Sequence, residues 1–364
     1  MLSGRRHQAS RRTVLGTAAS LALVLLGGCS LRDVRIDTPP TVPELRPADR
    51  LRNAAAVVLA RTYPTVDGPG GAPATTGRDG SVLDDPDAVL DTLRAAIGPV
   101  WEPPVDPRAE EPVVDAVPVE PFGLLDGLAE LATVLLDAWD DTDAFLGPVL
   151  GDVLLASLLV LTRAEAAGTG ELVARLSTVP AGTSGAPTTS DSPAPTAAEA
   201  PDPLTALSTH VEACFRASYA YEALAVRTEV DTPRGTRARE RVSELSRAAE
   251  DAAALLTDLG GTVPADRPVW QVPEDAASAP AEAARRVEAD LWASALPLLG
   301  GPVSAHALGF LWTSTLTHRV FGGDRLLRSE VHDTATTPTA GASPSSGAPT
   351  PSSGSSSTGP GGEG

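Results

Sequence analysis

Apolar residues recur every three or four positions in two long stretches of the chain, residues 44–178 and residues 203–325. This spacing gathers apolar side chains on one face of an α-helix, whereas a half-buried strand would alternate them with polar residues. Leu124, Leu128 and Leu131 are typical of the first stretch. The pattern predicts eight helices, four in each stretch: residues 48–63, 85–97, 122–139, 148–167, 203–230, 234–259, 280–299 and 302–321.

The order of the last four helices suggests how they pack. Two long helices, a connector over residues 262–279 and two further helices are the order of a four-helix bundle with a long middle connection. We therefore predict an all-α fold, with a four-helix bundle over residues 203–325 and an N-terminal helical region over residues 44–178. The pattern leaves open whether this N-terminal region is a separate domain or completes the second bundle.

Two segments lack helical periodicity and are rich in Ser, Thr, Pro, Ala and Gly: residues 179–202 and residues 332–364. Such segments contain too little apolar surface to offset the entropy lost on folding. We predict that residues 179–202 are a low-complexity linker and that residues 332–364 are a disordered tail.

The predicted helix over residues 148–167 is apolar on every side, which indicates a helix buried in a helical core. A membrane span is the alternative. Asp152 interrupts the apolar run, and the run is shorter than the roughly 20 residues that cross a bilayer. The sequence favours the buried helix.

The first 29 residues have the three parts of a secretory signal. Basic residues come first, an apolar run follows over residues 17–26, and Gly27-Gly28-Cys29 closes the segment. The run Leu26-Gly27-Gly28-Cys29 looks like a lipobox, in which the cysteine takes a diacylglycerol and becomes the new N-terminus. We predict that residues 1–28 are removed, that Cys29 is lipidated and that residues 29–43 form a tether. An ordinary cleavage site beside an incidental cysteine is the alternative.

The basic part of this signal contains Ser10-Arg11-Arg12-Thr13-Val14-Leu15, which resembles the twin-arginine export motif. We expect Arg11 and Arg12 to direct export by that route, and a generic basic segment feeding the general route is the alternative. The mature protein would then lie on the extracytoplasmic face of the cell membrane, held there by its lipid.

The charge of the chain limits its partners. The formal net charge is −19, and residues 1–28 carry four arginines and no acid, so the rest of the chain has a formal charge of −23. Such a surface repels nucleic acid and anionic lipid headgroups. We expect no nucleic-acid partner and contact with the membrane through the lipid alone.

If Cys29 is lipidated, Cys214 has no disulfide partner, and we expect it to be a small buried residue in a helix.

Several motifs of the second stretch carry a family resemblance. They are Glu212, the run Tyr219-Ala220-Tyr221-Glu222-Ala223, the run Leu255-Leu256-Thr257-Asp258-Leu259-Gly260-Gly261 and the run Ala284-Arg285-Arg286-Val287-Glu288-Ala289. Residues 204–321 thereby resemble a family of uncharacterised ferritin-like domains in exported lipoproteins of GC-rich Gram-positive bacteria. The resemblance implies a ferritin-like four-helix bundle and covers about a third of the chain.

Ferritin-like folds are best known for di-iron centres, which take a glutamate from each of two helices and a Glu-x-x-His motif from each of the other two. The sequence contains no Glu-x-x-His, and Leu207 and Thr315 stand three positions before His210 and His318. We therefore predict no metal and no cofactor. An atypical metal or redox site is the alternative, built from Glu212, Glu222, Glu250, Glu288 and His318. Otherwise we expect these glutamates to face water or to pair with Arg216, Arg247, Arg285 or Arg286.

The sequence contains no nucleophile elbow, zinc-binding helix motif or phosphate loop. We expect Trp139, Trp270, Trp292 and Trp312 to anchor the cores and His306 to be partly buried. The predicted function is binding or scaffolding at the cell envelope, with an unknown envelope protein or ligand as partner. A metal-binding or redox protein and a small-molecule-binding lipoprotein are the alternatives.

Overall fold

Nine α-helices, with no named strand between them, make up the parts of the chain that the computed structural model describes: residues 45–65, 85–102, 120–179, 202–323 and 326–327. The helices are α1 (Pro47–Arg61), α2 (Pro86–Ile97), α3 (Leu124–Asp137), α4 (Gly147–Arg163), α5 (Thr169–Arg175), α6 (Pro203–Arg227), α7 (Pro233–Asp258), α8 (Pro280–Ala295) and α9 (Ser304–Val320). This confirms the predicted all-α fold. The predicted signal, tether and tail, most of the linker, and Arg11, Arg12 and Cys29 lie outside the described residues.

Each of the eight helices predicted from periodicity has a counterpart, with ends shifted by a few residues. The short helix α5 was not predicted, because seven residues are too few to show a repeat. The helix predicted over residues 280–299 stops early, and Leu296–Leu298 form a 3₁₀ turn instead. Pro297 explains the change, since its nitrogen cannot donate to the preceding turn and its ring clashes with that turn's carbonyl.

Local capping explains where the longer helices begin. The side chain of Asp202 accepts a hydrogen bond from the Thr205 backbone nitrogen at the start of α6. Thr232 accepts one from Gly235 in the same way at the start of α7. A proline occupies the first helical position of both helices, where its missing N–H has no intrahelical partner to lose.

Helix α4 is the most deeply buried element, with every residue from Leu150 to Leu161 shielded from solvent. Among the described residues no helix combines the length and the apolarity that crossing a membrane requires. Helix α4, which occupies the segment where a membrane span was the alternative, has 17 residues and packs in the core.

The N-terminal helices pack directly onto the C-terminal ones. A Cβ added to Gly147 of α4 would lie 2.7 Å from the backbone of Leu299 and Gly300, and a Cβ on Gly151 would meet the Leu299 side chain. Residues 45–101 and the described residues from 120 onward fall in one compact unit with a shared apolar core. The described part of residues 44–178 is thus built onto the helices that follow the linker.

The C-terminal helices contact one another in a closed order. Helix α6 lies along α7 and α8, while α9 packs against α8 and α7. Each of the four helices therefore turns one face toward a common interior. Trp139, Trp292 and Trp312 lie in the apolar core as expected, and Trp270, which belongs to the connector before α8, is also buried.

Candidate functional site

Four alternating charges form a continuous salt-bridge network inside the C-terminal helices. Glu288 on α8 pairs with Arg241 on α7, Arg241 contacts Glu244, and Glu244 pairs with Arg237. The side chains of Glu288 and Arg241 are 0% and 1% exposed, whereas those of Glu244 and Arg237 are 30% and 15% exposed. The salt-bridge network (Glu288, Arg241, Glu244 and Arg237) therefore runs from the core to the surface with no net charge.

The carboxylate of Glu288 accepts four hydrogen bonds, two on each oxygen. Arg241 donates from Nε to Oε1 at 2.9 Å and from Nη2 to Oε2 at 3.0 Å. The hydroxyl of Tyr221 on α6 donates to Oε1 at 2.8 Å, and the hydroxyl of Ser314 on α9 donates to Oε2. All four helices thus meet at one carboxylate. This number of bonds fills the acceptor capacity of an ionised carboxyl group.

Burial and charge act in opposite directions on Arg241. Burial alone would lower the pKa of this guanidinium, but the Glu288 carboxylate and its hydrogen bonds outweigh burial, and the net pKa is raised. Its charge also lies over the Phe310 ring, 5.3 Å from the ring centroid. Burial, and then Glu288, raise the pKa of Tyr221 well above its ordinary value, so the phenol remains a hydrogen-bond donor.

The outer half of the salt-bridge network ties α7 to α9. Arg237 donates to both oxygens of Glu244 at 2.7 Å, and its Nε donates to Thr317 Oγ1 on α9 at 2.9 Å. Burial would raise the pKa of Glu244, but Arg237 and Arg241 more than reverse that effect and lower it. Glu244 is therefore held in its charged form.

A second buried polar cluster is made of the neutral side chains of His210, Ser294 and Cys214. Ser294 donates its only hydroxyl proton to the Leu291 carbonyl at 2.7 Å, so His210 Nδ1 carries the proton shared with Ser294 Oγ at 3.0 Å. His210 Nε2 is then an acceptor, and the Cys214 thiol, 3.6 Å away, donates to it. Every polar atom of this chain of donors has a partner.

The chemistry of this cluster is that of a structural element. Burial, and then the charges of His306 and Arg241, lower the pKa of His210 to about 3, so the imidazole is neutral. Burial raises the pKa of Cys214 to about 12. A cysteine nucleophile needs a lowered pKa and access to its substrate, and Cys214 is fully buried with a raised pKa. The pair of Cys214 and His210 therefore has the properties of core residues.

The structure does not bring the five residues of the alternative metal site together. Glu288 is buried, whereas Glu212 lies at the surface beside Arg267, 3.4 Å away, and Glu222 and Glu250 are exposed. His318 is half-buried near the end of α9. Among the described residues, no three His, Cys, Asp or Glu side chains lie close enough to share a metal ion.

The glutamates were expected to face water or to pair with one of four arginines; Glu222 and Glu250 are exposed, and none of the four arginines pairs with a described glutamate of this set. Arg285 donates to the Phe321 carbonyl and Arg286 pairs with Asp275, while Arg216 and Arg247 make no ion pair to any described glutamate. Arg241 is the partner that sequence reasoning missed. A signal was present, because Arg241 occupies a position of the apolar stripe that runs through Ala238, Leu245 and Ala249 on α7.

Two grooves border these clusters. The first lies between α6 and α8, has a volume of about 670 Å³ and is floored by small residues such as Ala213 and Ala217. The second lies between α7 and α9 and has a volume of about 560 Å³. We call it the α7–α9 groove; its wall includes Arg247, Asp251 and His306. Both volumes are in the range of small-ligand sites.

Comparisons of the chain with protein-family models, with curated proteins and with solved structures find no match.

Proposed function

We propose that this protein is a lipoprotein held on the extracytoplasmic face of the cell membrane by a lipid on Cys29. We further propose that its C-terminal helices are a ferritin-like bundle that binds a ligand or a partner protein and holds no metal. The closed order of contacts among α6, α7, α8 and α9 supports the bundle. The acidic charge of the chain after residue 28 supports anchoring by a lipid, because anionic headgroups repel the acidic protein surface.

One observation carries the metal-free proposal. A metal centre in such a bundle needs inward carboxylates with free oxygen lone pairs, and the buried carboxylate of Glu288 has four donors already bound to it. The Arg241 guanidinium supplies, from within the chain, the positive charge that a metal ion would otherwise supply. The alternative of a metal or redox site has no comparable support, because its other glutamates are at the surface.

Metal analysis of the purified full chain tests this proposal. After incubation with Fe²⁺ or Mn²⁺ and gel filtration, we expect far less than one metal ion per chain. Stoichiometric metal that is lost in Glu288→Gln and retained in Glu130→Gln, a substitution of an exposed glutamate on α3 that is not among the five candidate ligands, would overturn the metal-free proposal.

The anchor has its own test, which is independent of the metal result. Cells supplied with labelled palmitate should label the wild-type protein and leave a Cys29→Ala variant unlabelled. Label that persists in the variant would refute lipidation at Cys29. Replacing Arg11 and Arg12 together by lysine should leave unprocessed precursor in the cell, whereas normal processing of that variant would favour the general export route.

Small-molecule binding is the second candidate function, and the two grooves favour it. A groove of about 560 Å³ lined by both charged and apolar groups is large enough for a metabolite-sized ligand. A ligand that binds the folded state raises the melting temperature in proportion to the logarithm of its concentration.

A further inference from the structure

We propose that the α7–α9 groove binds the zwitterion of a free α-amino acid with an apolar side chain. The proposal rests on the binding role proposed above and gives it a site and a ligand class. Three features of the groove carry it: two opposite charges that make no ion pair to any described residue, a half-buried imidazole whose Nε2 has no hydrogen-bond partner among the described residues, and a glycine in the middle of α9.

The first feature is a pair of charges one helical turn apart on α7. Arg247 and Asp251 both line the groove, are exposed, and make no hydrogen bond or ion pair to any described residue. The neighbouring charges of Arg241 and Glu244 are neutralised within the salt-bridge network. The groove therefore offers one cation for a carboxylate and one anion for an ammonium group.

The spacing of these charges selects the ligand class. Side chains at positions i and i+4 of a helix begin about 5–6 Å apart, so the two charges of a ligand that bridges them must also be close. An α-amino acid carries its ammonium and carboxylate on one carbon atom. A peptide carries them at opposite ends, which fits this spacing poorly.

The second feature is His306 on α9. Its Nε2 is buried and has no hydrogen-bond partner among the described residues. Burial lowers the pKa of this imidazole, so the ring is neutral. The negative charge of Asp251 opposes this shift, which shows that Asp251 interacts electrostatically with the ring. A rotation of the ring about χ2 would let it accept a hydrogen bond from an ammonium group held at Asp251. A bound ligand would thus satisfy a polar atom that the protein leaves unsatisfied.

The third feature is Gly309, in the middle of α9. A glycine inside a helix is less favourable than an alanine, because its backbone loses more conformational freedom on folding. Here a Cβ would meet no atom within 4 Å, so packing within the described chain does not require a glycine. Gly309 lines the α7–α9 groove together with Phe310, Ala248 and Ala305. Bare backbone and small or aromatic neighbours leave room there for an apolar ligand side chain.

Calorimetry on the full chain with three matched probes tests the proposal. L-phenylalanine is a zwitterion, N-acetyl-L-phenylalanine lacks the ammonium group, and L-phenylalaninamide lacks the carboxylate. We expect L-phenylalanine to bind and each blocked analogue to bind at least about tenfold more weakly, because each loses a charge-assisted hydrogen bond. Equal binding of all three probes, or no binding of L-phenylalanine, would overturn the proposal.

Two substitutions assign the charges. In Arg247→Gln the free amino acid should bind no better than its amide, and in Asp251→Asn no better than its N-acetyl derivative. Arg216→Gln is the matched control, since Arg216 is an exposed arginine that lines the other groove. An effect of Arg216→Gln equal to that of Arg247→Gln would place the ligand elsewhere and contradict the proposal.

Filling the groove gives a readout that does not depend on charge. Gly309→Leu should abolish binding of L-phenylalanine without lowering the melting temperature, because leucine favours the helix, its Cβ would meet no atom within 4 Å and the rest of its side chain would extend into the groove. Retained binding in this folded variant would overturn the proposal. If no amino acid binds while Cys29 is lipidated and the protein is metal-free, the ligand inference fails and the proposed envelope role stands.

Discussion

Arg241 and Glu288 form a bidentate ion pair between α7 and α8, with Nε–Oε1 and Nη2–Oε2 distances of 2.9 and 3.0 Å and almost no exposure of either side chain. Removing two charges from water is unfavourable, so such a pair adds little net stability compared with well-packed apolar residues. Its consequence lies in specificity. Any shift of α7 along α8 would separate the two charges inside the core, and we infer that the pair fixes the register of these helices.

Breaking the pair from one side should therefore be severe. We expect Glu288→Gln to lower the free energy of unfolding by about 3–5 kcal/mol, because the buried guanidinium of Arg241 would keep only the partly exposed Glu244 as a counter-charge. Urea unfolding followed by circular dichroism measures this change. The matched control is Glu212→Gln, which breaks the surface pair with Arg267 and should change stability by less than about 1 kcal/mol.

The double variant Arg241→Met, Glu288→Met separates charge burial from packing. It removes both charges together, so we expect it to recover most of the stability that Glu288→Gln loses. A double variant as unstable as the single one would show that shape and hydrogen bonds to Tyr221 and Ser314, rather than the unpaired charge, determine the loss.

The sequence predicted the helices but not the centre of the site. Periodic leucines and alanines located eight of the nine described helices, because the spacing of apolar residues indicates directly which face of a helix is buried. Glu288 was named from sequence for a different role, as a candidate metal ligand. Its partner Arg241 lies 47 positions away, and the choice among the many arginines of α7 and α8 depends on how the two helices are rotated.

The grooves could not be predicted for the same reason. Arg247 was expected to pair with a glutamate, yet it faces a groove with Asp251, because α9 lies apart from α7 at this level. A pattern within one helix fixes which face is buried. It does not fix the gap to a helix about 60 residues later in the chain.

Acid should destabilise the protein through His210. The pKa of His210 is about 3 in the folded protein and about 6.5 in an unfolded chain, so only the unfolded state binds a proton between these values. The stabilising contribution is fully present above about pH 6.5 and is lost progressively as the pH falls toward 3. In His210→Asn, whose amide can still donate to Ser294, this dependence should be absent.

Urea unfolding of both proteins at a series of pH values checks this prediction. Between about pH 5.5 and 4 the free energy of unfolding of wild type should fall more steeply than that of the variant, by up to about 1.4 kcal/mol per pH unit. Parallel curves would show that His210 takes up its proton in the folded state.

Two glycines with the same backbone conformation should differ in their tolerance of a side chain. Gly260 and Gly300 have φ values of +81° and +80°, where an L-residue is strained. A Cβ on Gly260 would meet nothing within 4 Å, whereas one on Gly300 would lie 2.1 Å from the carbonyl oxygen of Asp143. Gly260→Ala should lose about 1 kcal/mol from conformation alone, and Gly300→Ala a further 1–3 kcal/mol or so from the clash.

Thermal and urea unfolding of the two alanine variants measure this difference. Because Asp143 belongs to the N-terminal helical region, the extra loss in Gly300→Ala reports on the contact between that region and the turn at Gly300, which lies between α8 and α9. Equal losses in the two variants would mean that the backbone at Asp143 moves away from the added Cβ without lowering the free energy of unfolding.

Cys214 should be unreactive in the folded protein. It is fully buried, its thiol donates to His210, and its pKa is raised to about 12, so both access and thiolate are lacking at neutral pH. In the full chain carrying Cys29→Ala, Cys214 is the single thiol. With an aromatic disulfide reagent at pH 8 we expect modification at least about 100-fold slower than in urea, where one thiol per chain should react.

A second chain with Cys29→Ala, Cys214→Ala and Glu222→Cys presents an exposed thiol on the same helix as the control. Comparable rates in the two chains would show that α6 opens readily, and would remove the basis for treating Cys214 and His210 as fixed parts of the core.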